Sequence, residues 1–223
     1  MPQKKSKKIL IYFFLFLMVG TLNNKNFSNI NIPKINKISV VGLNEDNNFQ
    51  LMNSLIFLEK NNLVLINKNT IKAIINKNNL VETYSVFKKY PSTLNIKIYK
   101  TNFLAKVKKN NYDFLLGSNG KLTQTTNSKQ NLPSIIGDFN IKNFFQLKNM
   151  IDDSNLDYNN IKNLFFFKSG RWDIEMRSGI LIKLPSDRLK KSLELLLEFL
   201  NNNKEEKIYK IDLRQQNQII ING

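Results

Sequence analysis

The sequence predicts an α+β chain made of an N-terminal transmembrane helix, a small domain of order β-α-α-β-β, and a mostly antiparallel β domain with helices. Three observations predict it. A lysine-flanked apolar run opens the chain. Strand and helix periodicities follow one another as β-α-α-β-β between residues 35 and 100, and short strand-like runs set off by turn residues dominate from 101 onward. The divisions are 1–8 (cytoplasmic tail), 9–22 (transmembrane anchor), 23–34 (linker), 35–100 and 101–223.

Lys4, Lys5, Lys7 and Lys8 precede the unbroken apolar stretch Ile9–Val19, the form of a signal peptide or signal anchor. Positive charge is retained on the cytoplasmic side, so the chain after Leu22 is expected outside. As a helix, Ile9 to Leu22 covers only ~21 Å against ~30 Å of hydrocarbon, which favours cleavage. Against cleavage, no small-x-small site follows in Thr21-Leu22-Asn23-Asn24, and Lys7, Lys8 and Lys25 can snorkel to lengthen the span. We read an uncleaved single-pass anchor.

An Asn-rich stretch with Pro33 forms the linker. Ile35, Ile38, Val40 and Val41 make a strand ended by Gly42 and the polar Asn44–Asn47 cluster. Phe49, Met52, Leu55, Ile56 and Leu58 recur at helical spacing and predict a helix over about 47–59. Ile71, Ile74 and Ile75 predict a shorter one, with Asn67 or Asn69 as N-cap. Two strands follow, Val81–Lys89 and Thr93–Lys100, joined at Tyr90-Pro91-Ser92. In the second, Leu94, Ile96 and Ile98 alternate with polar residues, the period of a half-buried strand.

In the second half, Asp113–Leu116 leads into the turn Gly117–Gly120 and then Lys121-Leu122. Phe144, Phe145, Leu147, Met150 and Ile151 predict a helix; strands are expected at Ile161–Phe167, Trp172–Met176 and Ile180–Leu184. Ser186 is positioned to cap a helix whose apolar stripe includes Leu189, Leu193, Leu196 and Leu200, and Ile208–Arg214 with Gln218–Ile221 close the chain as a hairpin.

Composition excludes most chemistry. The 223 residues contain no histidine and no cysteine, which removes His-dependent triads, thiolate chemistry, disulfides and nearly all zinc sites. Eight glycines leave no glycine-rich phosphate loop. No catalytic residue, cofactor or metal is therefore expected. Lys and Arg number 34 against 17 Asp and Glu, a net charge of +17, yet the lysines are spread along the chain. Residues with A/T-rich codons (Asn, Lys, Ile) are used heavily throughout, so we read the charge as a diffuse solvated surface rather than a nucleic-acid face.

Several strings fall in a familiar order. Ile38-Ser39-Val40-Val41-Gly42 resembles the "I-x-V-x-G" opening of the POTRA domain in the bacterial cell-division FtsQ (DivIB) family. Val81, Val86, Tyr90-Pro91 and Leu94-x-Ile96 resemble the stretch that follows, and Leu132-Pro133 with Gly137 is similar to "L-P-x-l-x-G". Arg171-Trp172-Asp173, Gly179, Ile182-x-Leu184 and Ile211-Asp212-Leu213-Arg214 complete a collinear likeness over about residues 35–223. The departures are Tyr99-Lys100-Thr101-Asn102, where the family often has Glu-Arg and then Pro, and Ser118 or Asn119 in place of a turn Asp before Gly120.

The resemblance implies a non-enzymatic divisome scaffold in the bacterial inner membrane at the septum, with its bulk periplasmic. It implies FtsB and FtsL as partners of the C-terminal β region and upstream division factors as partners of the POTRA-like domain. On that reading Tyr209, Lys210 and Arg214 are candidate rim contacts to an acidic segment. Ile219, Ile220 and Ile221 form the candidate docking strand, and Arg171 matches the family's Arg before Trp, near the partner surface. Other readings stay open at this point: Trp172 as core, Arg171 as an ordinary surface ion pair, and the closing hairpin with its edge covered. A POTRA-bearing secretion or outer-membrane assembly component is the alternative function. A basic nucleic-acid binder and an exported hydrolase using Asp152 and Asp153 are weaker rivals.

Overall fold

The computed structural model describes residues 5–22, 33–126, 130–203 and 208–222. The start of the expected cytoplasmic tail and residues 23–32 of the expected linker lie outside the described residues.

Helix α1 (Lys5–Leu22) forms where the transmembrane anchor was expected, and its apolar side chains from Ile9 to Val19 are 48–77% exposed. The expected span is not matched: among the described residues no helix is long and apolar enough to cross a membrane. The physical reason is that three lysines occupy the first turn, leaving an apolar part of only ~21 Å.

The first domain contains β1 (Lys37–Val41), α2 (Glu45–Leu55), α3 (Lys68–Ile75), β2 (Val81–Lys89) and β3 (Thr93–Lys100). Its sheet has the order β1-β3-β2, with β1 parallel and β2 antiparallel to the central β3. Leu94, Ile96 and Ile98 of β3 are buried beneath Leu51 and Leu55 of α2 and Ile71 and Ile75 of α3, each such side chain worth roughly 1.5–3 kcal/mol. The single helix expected over 47–59 is two pieces, because α2 starts earlier, capped by the Asn44 side chain, and tightens into a 3-10 turn at Ile56–Lys60. Asn67, not Asn69, caps α3. Gly42 ends β1 at φ +117°, where a Cβ would collide with the Ile98 carbonyl oxygen of β3.

The second domain is one nine-stranded mixed sheet with helices α4 (Ile141–Asp153) and α5 (Leu189–Asn202) on one face. Its strands are β4 (Phe103–Lys109), β5 (Tyr112–Gly117), β6 (Leu122–Gln124), β7 (Ser134–Ile136), β8 (Ile161–Phe166), β9 (Trp172–Met176), β10 (Leu181–Lys183), β11 (Lys210–Asp212) and β12 (Ile220–Ile221). They lie in the order β12-β11-β10-β9-β8-β7-β4-β5-β6. Pairings are mostly antiparallel, with parallel contacts at β4–β7, β7–β8 and β10–β11. The core under the helices joins Phe144, Leu147 and Ile151 of α4 and Leu193 and Leu196 of α5 to Leu164, Trp172, Ile174, Ile182 and Ile211 of the sheet. Trp172 packs between Phe139 and Phe166, so it is a core residue.

Three local expectations are corrected. Strands β4 and β7 had no predicted counterpart. Ser186 does not cap α5: Arg188 precedes the helix in the left-handed region at φ 54°, with no side-chain cap. The closing hairpin exists, but β11 also pairs in parallel with β10, which makes it an inner strand rather than an appended one.

Candidate functional site

The candidate site is the β12 end of the large sheet. β11 is held inside: Leu181 N–H donates to the Tyr209 carbonyl (2.9 Å), Leu213 N–H donates to the Lys183 carbonyl (2.9 Å), and Ile211 and Leu213 are buried. β12 lies outside it, registering Ile221 with Ile211 and Ile220 with Asp212. Asn222 ties the two ends together, its N–H donating to the Lys210 carbonyl (3.0 Å) while its side-chain oxygen accepts from Tyr209 N–H (2.8 Å). Among the described residues no strand lies beyond β12. Ile220 is 44% and Ile221 37% exposed, whereas Ile219 packs against the core.

Register builds a charged row leading to this edge. Asp173 of β9 stands opposite Lys183 of β10, which stands opposite Asp212 of β11, which stands opposite Ile220. Directly opposed residues share a face, so these groups lie on the side away from α4 and α5. Arg171 and Arg214, each two residues from an Asp of this row, close it. Arg171 Nε donates to Asp173 Oδ1 (3.1 Å) while its guanidinium lies 4.2 Å from the Phe167 ring centre. Arg214 Nε donates to Asp212 Oδ1 (2.8 Å) and Oδ2 (3.0 Å).

The two aspartates differ electrostatically. Burial raises the Asp173 carboxyl above its ordinary value, against opposing pulls from Arg171, Lys183 and Arg214. The hydrogen bonds from Arg214 hold Asp212 below its ordinary value. Each guanidinium is thus held by its own aspartate, while Asp173 feels both, Arg171 through a direct hydrogen bond and Arg214 through space. Lys210 opens β11 beside β12, and Tyr209, exposed, precedes it. All seven predicted site residues thus fall on β9, β11 or β12 or within two residues of them. Sequence reasoning missed Asp173 and Lys183 as members; the visible signal was polar alternation in Trp172-Asp173-Ile174-Glu175.

A second missed set joins the two domains. The turn after β5 carries Asn119, whose side-chain amide donates to the Asn79 carbonyl (2.9 Å) and the Val81 carbonyl (2.8 Å), while its oxygen accepts from Lys121 N–H (3.0 Å). Ser118 and Thr101 hydroxyls both donate to Glu82 (2.7 and 2.9 Å), and Asn79 donates back to the Leu122 carbonyl (2.8 Å). Ser118 and Asn119 are the positions where this chain departs from the usual turn Asp.

On the helix-free face, a shallow groove of about 540 Å³ runs past Lys106, Lys108, Asp113, Thr125, Ser134 and Asn163. It offers one carboxylate and no second acid to pair with it. Among the described residues no group of three His, Cys, Asp or Glu side chains could hold a metal ion.

Comparison with known proteins bears on both domains. Residues 105–214 match the family described as "Cell division protein FtsQ/DivIB, C-terminal", and residues 34–99 match "POTRA domain, FtsQ-type". Among solved structures, the chain is similar to the major extracytoplasmic domain of the trans isomer of the cell-division protein DivIB from Geobacillus stearothermophilus. That match has 14% identity, a TM-score of 0.35, and covers 47% of this chain and 97% of the other. No curated protein sequence matches the chain.

Proposed function

Because the chain belongs to the FtsQ/DivIB family of cell-division proteins, we propose that it is a non-enzymatic divisome adaptor that captures an extended partner segment by strand addition at β12. On this reading it recruits and links early and late division proteins at the septum, with the FtsB and FtsL type as partners of the C-terminal edge. The first, POTRA-like domain receives upstream factors. The observation that carries the proposal is the outer position of β12 in the sheet, with Ile220 and Ile221 exposed. An outermost strand presents backbone N–H and C=O groups that an added strand satisfies, and side chains on alternate positions then select the partner.

The charged row gives that selection a basis. Arg171 and Arg214 are oriented by Asp173 and Asp212, so an acidic partner side chain meets guanidinium groups whose geometry is already set. Tyr209 and Lys210 border the same edge. At the other end of the chain, the exposed apolar side chains of α1 behind Lys7 and Lys8 support placing it in the inner membrane, N-terminus cytoplasmic and both domains periplasmic.

The test is recovery of FtsB and FtsL from membranes by the full chain and by Ile220→Pro and Ile221→Pro separately. Successive strand N–H groups point to opposite sides, so one of these variants removes an outward donor. We expect one of them to lose the partners while Trp172 fluorescence stays unchanged. Undiminished recovery by both would move the docking site elsewhere. A truncation after Asn203 is not a usable substitute, because it strips the buried Ile211 and Leu213 from the core.

A further inference from the structure

The turn between the 3-10 helix at Ile56–Lys60 and α3 shows two apolar side chains that the core does not use. Leu63 and Ile66 are buried and pin the turn, while Val64 is 55% and Leu65 76% exposed between them. The tip is rigidly attached to the point where the chain joins the first domain. Lys34 bridges to Asn62, Ile35 N–H donates to the Asn61 carbonyl (2.9 Å), and the Asn62 side-chain oxygen accepts from Leu65 N–H (2.9 Å).

Lysines surround the tip. Lys88 donates its ammonium to the Leu63 carbonyl, Lys34 sits on the bridge to Asn62, and Lys60 and Lys68 flank the turn in sequence. Between Leu58 and Asn69 the only acidic residue is Glu59. An apolar pair ringed by long cationic side chains matches the boundary of an anionic bilayer, where the tip enters the acyl margin and the ammonium groups stay at headgroup level.

The twelve residue steps from Leu22 to Lys34 reach at most ~43 Å even when fully extended. With α1 in the membrane, the first domain is confined near the surface on the side that bears this tip. We infer that Val64 and Leu65 form a second, peripheral contact with anionic lipid that fixes how the first domain stands on the membrane. This rests on the membrane placement of α1 proposed above, and the experiment separates the two.

The full chain contains no cysteine, so single cysteines can be introduced at Leu65, at Phe14 in α1 and at the exposed Lys168 in the β8–β9 turn. Each is labelled with an environment-sensitive fluorophore and reconstituted into vesicles of phosphatidylcholine with one quarter phosphatidylglycerol, some lipids carrying a shallow spin label as quencher. The expected result is a blue shift and lipid quenching at 14 and 65 but not at 168. Quenching at 65 should fall several-fold with Val64→Asp, with Lys60→Glu plus Lys68→Glu, and in vesicles of phosphatidylcholine alone.

Quenching at 14 without quenching at 65 overturns the peripheral contact and leaves the anchor standing. Absence of quenching at both overturns the two together. A blue shift at 65 without lipid quenching assigns the tip to a protein contact, and equal quenching in uncharged vesicles removes the role of the lysines; either result refutes the inference.

Discussion

Asn119→Ala is expected to uncouple the two domains. The side chain makes two bonds across the joint, to the Asn79 and Val81 carbonyls, and one within its own turn, from Lys121 N–H. A neutral hydrogen bond nets ~1 kcal/mol, and carbonyls left without a donor add to the loss. The variant should therefore lose about 2–3 kcal/mol of coupling, roughly 30- to 150-fold in the ratio of docked to undocked domains. Asn119→Asp is the sharper control, because it keeps the acceptor for Lys121 N–H but sets a carboxylate against two carbonyl oxygens, and should uncouple more. Trp172 fluorescence reports unfolding of the large sheet, and amide hydrogen exchange in β3 reports the small one. In the parent chain both should follow one urea transition. In the variants, β3 amides should exchange at lower urea than the Trp172 transition. Coincident transitions in Asn119→Ala would refute this reasoning and leave the joint to Glu82, Thr101 and Ser118.

Gly137→Ala and Gly179→Ala make a matched pair read by urea denaturation. Both glycines have positive φ, costing an alanine ~1–2 kcal/mol, but a Cβ at 137 also strikes the Phe166 carbonyl oxygen while one at 179 meets open space. The first should cost about 2–4 kcal/mol and the second no more than the backbone term; equal losses would remove the close-approach argument. On the acid side, Asp212 has a folded pKa below its ordinary 3.8. Its contribution is fully present above that value and is lost as pH falls through the depressed one. Asp212→Asn should flatten that part of the stability profile, measured by Trp172 fluorescence in urea from pH 7 to 3. Asp173, raised by burial, acts with the opposite sign, its cost relieved as pH falls through its raised value.

The elements legible in the sequence are those that carry their own period. The alternation of Leu94, Ile96 and Ile98 places β3, and the stripe through Leu193 and Leu196 places α5, because burial on one face repeats every two or every 3.6 residues. β7 is three residues long between Pro133 and Gly137, too short for a period to appear. In β4 only Ala105 and Val107 are buried, among lysines that mask the alternation. Ser186 has the chemistry of a cap, but the left-handed turn at Arg188 starts the helix after it has passed.

The site divides in the same way. The apolar, β-prone tail at Ile219–Ile221 and the Arg-Trp-Asp and Asp-Leu-Arg strings are local, so the candidate residues could be named from the chain alone. What joins them is not local. Asp173, Lys183 and Asp212 form one row only because β10 pairs with β9 on one side and in parallel with β11 on the other. Asn119 meets Asn79 and Val81 only once both domains have folded and the turn after β5 lies against the start of β2. Hydrophobic period and turn chemistry act over a few residues, and they determined the general order of helices and strands and the strands long enough to show a period. Strand order, the outer place of β12 and the joint between domains depend on backbone hydrogen bonds between segments tens of residues apart. Those pairings are chosen by burial of the whole core, so tertiary structure decided them.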